Sequence, residues 1–345
     1  MSIILDDPVA MAGIDRGNML EQIMGFPDHL SSALFSDVDI EFSGRGICLC
    51  GMGGSAVSGD ILADCVMRES DRFMSVVRGM DLPGWVGEDT LLIAVSYSGN
   101  TREVLTIFEK ALDSDIQLVA ISSGGRLGKL CKENGVPIVE VPTGFQPRAA
   151  LGFLLGSTAR VLEEAGVMSV ATQLNDLISS LKQLQSTISV EVPVEINPAK
   201  RLAMDLQGTV PVIYAAGEMR SAALRWHTQM NENSKMMAFT GEVPECNHNH
   251  IVGWMEGSLH TLCRPVFLRA ATDNPSVSDI MSLTIESLEE GRKRPLVADF
   301  DGPSRIQNLI SAIVLGDLVS YYLAMLNGVD PLPVESIGEL KRRML

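Results

Sequence analysis

Basic residues are scarce in this sequence of 345 residues, which has 27 Lys and Arg against 43 Asp and Glu and a formal net charge of −16. This balance excludes a nucleic-acid partner, because binding to phosphates along a duplex requires clustered cationic side chains. It does not exclude a single phosphate group, which a few N–H and hydroxyl donors can hold. The length allows two ordinary α/β domains, each with its own core.

Features typical of membrane, secreted and zinc proteins are also missing. No uninterrupted apolar run reaches the roughly 18–20 residues that span a bilayer. The N-terminal segment MSIILDDPVA has acids where a signal peptide is basic. The six cysteines form no C-x-x-C pair, and Cys48 and Cys50 are predicted to be small buried hydrophobes on one face of a strand. We therefore expect a soluble cytoplasmic protein with no metal and no membrane partner.

The segment from about 44 to 142 alternates short apolar runs with helical patterns. Purely apolar runs such as LLIAV are typical of parallel strands covered on both faces. This alternation predicts a doubly wound parallel α/β sheet. The predicted strands are Ile47–Cys50, Phe73–Val77, Leu91–Val95, Gln117–Ile121 and Ile138–Val141.

The second half of the chain repeats this alternation with weak sequence similarity. Residues 149–190 have a helical pattern and lead into the Pro-punctuated segment VEVPVEINPA, which is the candidate linker. We accordingly expect a first domain over residues 1–190, with an N-terminal extension and connecting helices, and a second over 191–345. The predicted strands of the second domain are Val210–Ala215, Pro265–Arg269 and Leu296–Asp299.

The first motif, CGMGGSAVSGD, lies between a predicted strand and a predicted helix. Its glycines bring backbone N–H groups close to a ligand, and Ser55 can either cap the helix or hold a phosphate oxygen. Gly51, Gly53 and Ala56 also fit the relaxed dinucleotide pattern G-x-G-x-x-[GA]. Arg78 stands where an NAD-binding acid is expected, so NAD is disfavoured whereas NADP remains an alternative.

The second motif, AVSYSGNTRE, follows the strand LLIAV directly. Ser96, Ser98 and Thr101 place three hydroxyls in one loop, and Thr101 also lies at a helix N-terminus, where an anion is favoured. Open α/β sheets bind ligands at the carboxyl ends of their strands. A capping box is the simpler alternative, but capping requires only one of the three hydroxyls.

G-x-G-G-S after one strand and S-x-S-G-N-T after a later one together resemble the phosphosugar site of sugar-isomerase (SIS) domains. The pair is much more specific than either half, and a dinucleotide fold has no use for the second loop. The resemblance implies two SIS domains and a small-molecule sugar phosphate as the partner. By the same resemblance, the residues that bind the phosphate and nearby hydroxyls are Gly53, Gly54, Ser55, Ser96, Ser98 and Thr101.

Four further side chains have the chemistry that aldose–ketose isomerisation requires. Moving a proton between C1 and C2 through an enediol(ate) needs a carboxylate base, a group that opens the sugar ring and positive charge near the developing oxyanion. Candidates are Glu232 in RWHTQMNENSK, His248 in PECNHNHIVGW, Lys341 near the C-terminus and Arg148 in GFQPRAALG. Taken alone, each of the four is more often a solvated or structural residue than a catalytic one.

The runs NEN…K, PE-x-NHN…VGW and VDP-x-PV-x-x-I-x-x-LK resemble the phosphoglucose/phosphomannose isomerase branch of SIS proteins, over about 46–341. The resemblance implies that Glu232 is the proton-transfer base, that His248 and Lys341 assist ring opening and that Arg148 stabilises the intermediate. It implies conversion between fructose 6-phosphate and glucose 6-phosphate, with mannose 6-phosphate as a second candidate, and no cofactor. We also expect a homodimer whose interface completes the active site.

Two residues depart from the branch pattern. His250 stands where NHN is usually followed by Glu, and His227 stands where a Lys is expected. These differences concern substrate preference more than fold or reaction, and glucose and mannose are not distinguished. Two alternatives remain: a non-catalytic sugar-phosphate sensor, which needs only the two hydroxyl loops, and an NADP-dependent reductase.

Overall fold

The computed structural model describes residues 4–257 and 261–343. Contacts divide the chain into two compact units, a five-stranded unit of residues 25–182 and a four-stranded unit of residues 1–24 and 183–345. Each contains a parallel sheet with helices in its connections, which confirms the predicted α/β class. The boundary lies near 182, and the first 24 residues group with the second half, whereas the sequence analysis placed them with the first.

The elements are numbered along the chain. Two short helices come first, α1 (Pro8–Ile14) and α2 (Met19–Met24). The five-stranded unit follows with α3 (Phe26–Ala33), β1 (Gly46–Cys50), α4 (Gly54–Glu69), β2 (Phe73–Val77), β3 (Thr90–Val95), α5 (Arg102–Leu112), β4 (Gln117–Ser122), α6 (Gly125–Asn134), β5 (Ile138–Glu140), α7 (Leu151–Glu164) and α8 (Val170–Thr187), whose last turn crosses the boundary.

The first sheet has the strand order β2-β1-β3-β4-β5, and its five strands are those predicted from the sequence. Every residue of β1 and β3 is buried, because these apolar strands are covered on both faces. Cys48 and Cys50 lie in this core as free cysteines, and burial raises the pKa of the Cys48 thiol to about 12. The chain winds in opposite directions from β1 and β3, so the loops after these strands flank the switch point where such sheets bind ligands.

The four-stranded unit continues with α9 (Pro198–Leu206), β6 (Val210–Ala216), α10 (Arg220–Asn233), β7 (Phe239–Val243), α11 (His250–Glu256), β8 (Cys263–Ala270), α12 (Pro275–Glu290), β9 (Leu296–Phe300), α13 (Arg305–Leu326) and α14 (Glu335–Arg343). Its strand order is β7-β6-β8-β9. β7 was not predicted. It is an edge strand, and its residues Phe239 and Glu242 are exposed, so it lacks the apolar run of a central strand.

The candidate linker is structured rather than extended. Asn197 caps α9 by accepting a hydrogen bond from the backbone N–H of Lys200 at 3.0 Å. The fully buried Lys200 ammonium donates to Val190 O at 2.8 Å and lies 3.3 Å from Asp6. Asp6 also accepts from Val194 N–H at 2.9 Å. These bonds explain why the N-terminal residues group with the second half of the chain.

Among the residues that the structure describes, one helix has the length and composition of a membrane span. α13 is 22 residues long with a mean hydropathy of 1.9 over its most apolar window, 89% of which is buried in the protein. This helix does not appear in the sequence as an uninterrupted apolar run, because Asp317 lies near its middle. α13 packs against α9 and α10, so its composition is that of a core helix.

Candidate active site

The glycine-rich loop after β1 turns sharply into α4. Gly53 has a φ of +51°, a conformation that disfavours residues with a side chain. A Cβ on Gly54 would lie 2.9 Å from both Arg148 Cα and Pro147 O, so only glycine allows this approach of the two segments. Ser55, in the first turn of α4, is 5% exposed. The loop therefore brings the N-terminus of α4 against the backbone of Arg148.

The hydroxyl-rich loop after β3 is held by its own side chains. The Ser96 hydroxyl donates to Thr101 Oγ1 at 2.9 Å and is fully buried, whereas Ser98 is exposed. Thr101 occupies the N-cap position of α5 but makes no capping bond with its side chain. The capping-box alternative is therefore not seen for Thr101, and the hydroxyls at the two ends of the loop contact each other.

A hydrogen bond joins these two loops. The backbone N–H of Tyr97 donates to Ser55 Oγ at 3.2 Å, although the two residues are 42 positions apart. The six residues predicted to bind the phosphate thus lie in two neighbouring loops at the carboxyl edge of one sheet. Arg78, on which the NADP alternative depended, is instead paired with Asp60.

The loops after β4 and β5 lie at the same edge of the sheet, and the first of them was not predicted from the sequence. Ser123 donates to Tyr97 O through its backbone N–H at 2.9 Å and its hydroxyl at 2.6 Å. The only signal was the run SSGG after a predicted strand. The loop after β5 leads to Arg148, which lies just before α7, and the Arg148 side chain is only 2% exposed. The predicted cation is therefore buried beside the glycine-rich loop.

Glu232 lies in the last turn of α10 and lines a cleft of about 560 Å³ within the four-stranded unit. Asn231 and Lys235 line it with Glu232, and the rest of its wall consists of residues 329, 330 and 333–337, up to the start of α14. The Lys235 ammonium donates to Glu232 O at 2.6 Å and to Pro331 O at 3.1 Å, which joins the end of α10 to this segment. The carboxylate is thus on a rigid helix and faces a space of ligand size.

α10 is fixed by polar contacts with α13. Arg225 donates to both carboxylate oxygens of Asp317, at 2.9 and 2.8 Å, and both residues are almost fully buried. Near the other end of the helix, Asn233 donates to Ser320 Oγ at 2.9 Å. The buried bidentate ion pair and the buried hydrogen bond of the Asn233 amide group restrict rotation of α10. They thereby restrict the direction in which the Glu232 side chain leaves the helix.

The two histidines of the NHNH run lie at the end of the loop after β7 and at the start of α11. His248 ends a short 3-10 helix, Glu245–His248, and is exposed. His250, which stands in place of the usual acid, lies with its Nδ1 3.0 Å from the Tyr214 hydroxyl. Trp254 Nε1 donates to the same hydroxyl at 2.8 Å, so Tyr214 bonds to both side chains. His250 thus has a defined partner in the core of its unit.

Lys341 is exposed in the last turn of α14, a helix in which no described residue is buried. Of the residues that the structure describes, His248 and Lys341 are not among those lining the Glu232 cleft. The structure therefore brings together the phosphate-loop residues with Arg148 in one unit, and Glu232 with the start of α14 in the other. Within the ranges 4–257 and 261–343, no group of three or more His, Cys, Asp or Glu is suited to hold a metal ion.

Comparison with known proteins gives relatives over nearly the whole chain. The model of the bacterial phospho-glucose isomerase C-terminal SIS domain matches residues 195–344. A bifunctional phosphoglucose/phosphomannose isomerase of Aquifex aeolicus (strain VF5) is 34% identical over 301 residues, 87% of this chain and 90% of the relative. The enzyme of the same name from Caldicellulosiruptor bescii is 33% identical over 336 residues, 94% of this chain and 98% of the relative.

Solved structures add a likeness in fold. Tagatose-6-phosphate ketose/aldose isomerase from Escherichia coli superposes with a TM-score of 0.69 at 14% identity, covering 91% of this chain and 93% of that chain. At this identity the likeness shows the SIS architecture alone.

Proposed function

Since the chain belongs to the bifunctional phosphoglucose/phosphomannose isomerase family, we propose that it interconverts fructose 6-phosphate with glucose 6-phosphate and, as a second aldose, mannose 6-phosphate. It is an isomerase, and its reaction is an intramolecular oxidation and reduction: C2 of the aldose is oxidised while C1 is reduced. C2 becomes trigonal in the enediol(ate), so the two aldoses, which differ only in configuration at C2, lead to the same intermediate.

The observation that carries the proposal is the bond from Tyr97 N–H to Ser55 Oγ at 3.2 Å, which joins the glycine-rich and hydroxyl-rich loops. In the proposal, the phosphate binds where these loops meet, against the N-termini of α4 and α5, where backbone N–H groups and the helix dipoles favour an anion. Six residues serve this site: Gly53, Gly54, Ser55, Ser96, Ser98 and Thr101.

We assign the proton transfer to Glu232, because it is the acid at the end of a rigid helix and faces a ligand-sized cleft. Its carboxylate takes the proton from C2 of the aldose and returns it to C1, so that no net proton is consumed. Arg148 supplies positive charge for the enediolate oxygen, and its burial strengthens that interaction. His248 and Lys341 are assigned to ring opening.

A homodimer and a cytoplasmic location belong to the same proposal. His248 and Lys341 are exposed, whereas catalytic groups must be held closely in position, so a second copy of the chain is the expected support for them. Mixing His248→Ala with Glu232→Gln subunits should restore activity in mixed dimers. If subunits exchange freely but no activity is recovered, a site shared between subunits is rejected. If the protein sediments as a monomer at micromolar concentration, both the dimer and the shared site are rejected.

The reaction is tested by coupled assay of the purified protein, after EDTA treatment, against glucose, mannose and glucosamine 6-phosphates. We expect turnover of the first two with no added metal or nucleotide. With glucose 6-phosphate deuterated at C2, the rate should fall and label should appear at C1 of the product or in water. Binding without turnover of any of these sugars would support a sensor and overturn the proposal.

Glu232→Gln tests the base, because the amide keeps the size of the side chain and removes its basicity. We expect kcat to fall by at least about 10²–10⁴-fold, with affinity for the sugar phosphate retained. Glu289→Gln, which changes an exposed acid on α12 of the same unit, is the matched control and should behave as wild type. Wild-type turnover by Glu232→Gln would reject the assignment.

A further inference from the structure

Tyr97, the unspecified residue in the S-x-S-G-N-T motif, connects its own loop after β3 to the segments that follow β1, β4 and β5 at the carboxyl edge of the first sheet. Its side chain is buried, with 6% exposed. Its backbone N–H donates to Ser55 Oγ in the first turn of α4, and its carbonyl accepts two hydrogen bonds from Ser123 in the loop after β4. These contacts use only the main chain of Tyr97, so any residue except proline can make them at this position.

The hydroxyl of Tyr97 makes contacts that only tyrosine can make. It donates to Pro142 O at 2.9 Å and accepts from the backbone N–H of Phe145 at 2.9 Å. Both partners belong to the loop between β5 and Arg148. Burial raises the pKa of the Tyr97 hydroxyl, although the Phe145 N–H acts in the opposite direction. The hydroxyl therefore remains protonated at neutral pH and keeps both bonds.

The same loop is also held by aromatic packing. The Phe145 ring contacts His29 edge-on with centroids 4.9 Å apart, and Phe153 with centroids 5.2 Å apart. Three residues further along, the Arg148 backbone lies against Gly54. The backbone of Pro142–Phe145 is therefore held by the Tyr97 hydroxyl, and the Phe145 side chain is held by the rings of His29 and Phe153. This leaves Arg148 little freedom to move.

We propose that Tyr97 is a positioning residue for the isomerisation, and that its hydroxyl sets the place of Arg148 through the loop Pro142–Phe145. This inference rests on the proposed function of Arg148. Removal of the hydroxyl leaves Pro142 O and Phe145 N–H without their partner, so the loop shifts or becomes mobile. The main-chain contacts of residue 97 with Ser55 and Ser123 remain. An effect on the position of Arg148 can therefore be separated from an effect on phosphate binding.

Tyr97→Phe removes one oxygen atom and tests this separation. We expect kcat to fall about 10–100-fold, because a displacement of about 1 Å in a catalytic group has an effect of this order. KM for fructose 6-phosphate and inhibition by inorganic phosphate should change less than about threefold. Tyr322→Phe is the matched control: Tyr322 is fully buried in the other unit and its hydroxyl donates to Ile188 O at 2.7 Å. It should retain wild-type kcat.

Two measurements identify the route of the effect. Tyr97→Phe combined with Arg148→Lys should be no slower than Arg148→Lys alone, because both changes disturb one group; additive losses would overturn the proposal. Hydrogen exchange at the Phe145 amide should accelerate in Tyr97→Phe and not in Tyr322→Phe. If the Phe145 amide exchanges faster in Tyr97→Phe but kcat is unchanged, the positioning role of Tyr97 is rejected and the proposed function is not affected. If the wild-type protein shows no isomerase activity, the proposed function itself is rejected.

Discussion

Replacement of Gly54 by alanine would test the closest approach between the glycine-rich loop and Arg148. The added Cβ would lie 2.9 Å from both Arg148 Cα and Pro147 O, whereas carbon atoms in normal contact are about 3.5–4.0 Å apart. Neither neighbour is a flexible side chain, so a backbone must shift by about 0.5–1 Å. We therefore expect kcat to fall by up to about 100-fold and the free energy of unfolding to fall by about 1–3 kcal/mol.

The assay compares Gly54→Ala with Gly84→Ala, which adds the same atom in the same unit. A Cβ at Gly84 has no atom within 4 Å, and the residue has no positive φ, so this variant should match wild type. Initial rates of fructose 6-phosphate conversion and urea unfolding are measured on both. If Gly54→Ala unfolds with lower free energy but keeps wild-type kcat, the close approach is purely structural. Wild-type behaviour in both measurements would refute the packing argument itself.

Two further predictions concern stability. Asp317→Asn should lower the free energy of unfolding by about 3–5 kcal/mol in urea, because it disrupts a buried, bidentate pair with Arg225. The control Asp299→Asn, in the more exposed pair with Arg269, should lose no more than about 1 kcal/mol; equal losses would contradict the burial argument. Burial lowers the pKa of His29 below its ordinary 6.5, and nearby Asp28 opposes this only in part. The unfolded chain thus binds more protons there, so stability should fall as pH falls from 6.5 toward the lowered pKa. In His29→Gln, the free energy of unfolding should depend less on pH over this range. A pH profile identical to that of wild type would refute the assignment of this dependence to His29.

The sequence predicts the five-stranded sheet well because its strands are buried on both faces. LLIAV and GICLC are continuous apolar runs, and α5, which follows LLIAV, has clear 3.6-residue periodicity. The loops of the candidate site follow from the same pattern, since parallel strands place their carboxyl ends at one edge. Ser55 and Ser96 could thus be assigned to one edge before any distance was known.

Other features of the structure depend on contacts that local patterns do not contain. Lys200 has the sequence character of a surface cation, yet it is fully buried against Asp6, 194 positions away. His250 acquires its partner, Tyr214, from a strand 36 positions earlier. The edge strand β7 and the exposed helix α14 lack the apolar pattern that predicts an element, because little of either is buried.

The hydrogen bonds of Asp6 also imply an order of events during synthesis. The partners of this carboxylate, Val194 and Lys200, are translated 188 and 194 residues after it. The first 24 residues therefore cannot reach their place while the ribosome is still making residues 25–182, which form a complete unit with their own sheet. Domains generally fold as units as they emerge. Residues 4–24 are thus among the last parts of this sequence to fold, because both partners of Asp6 are translated after residues 25–182.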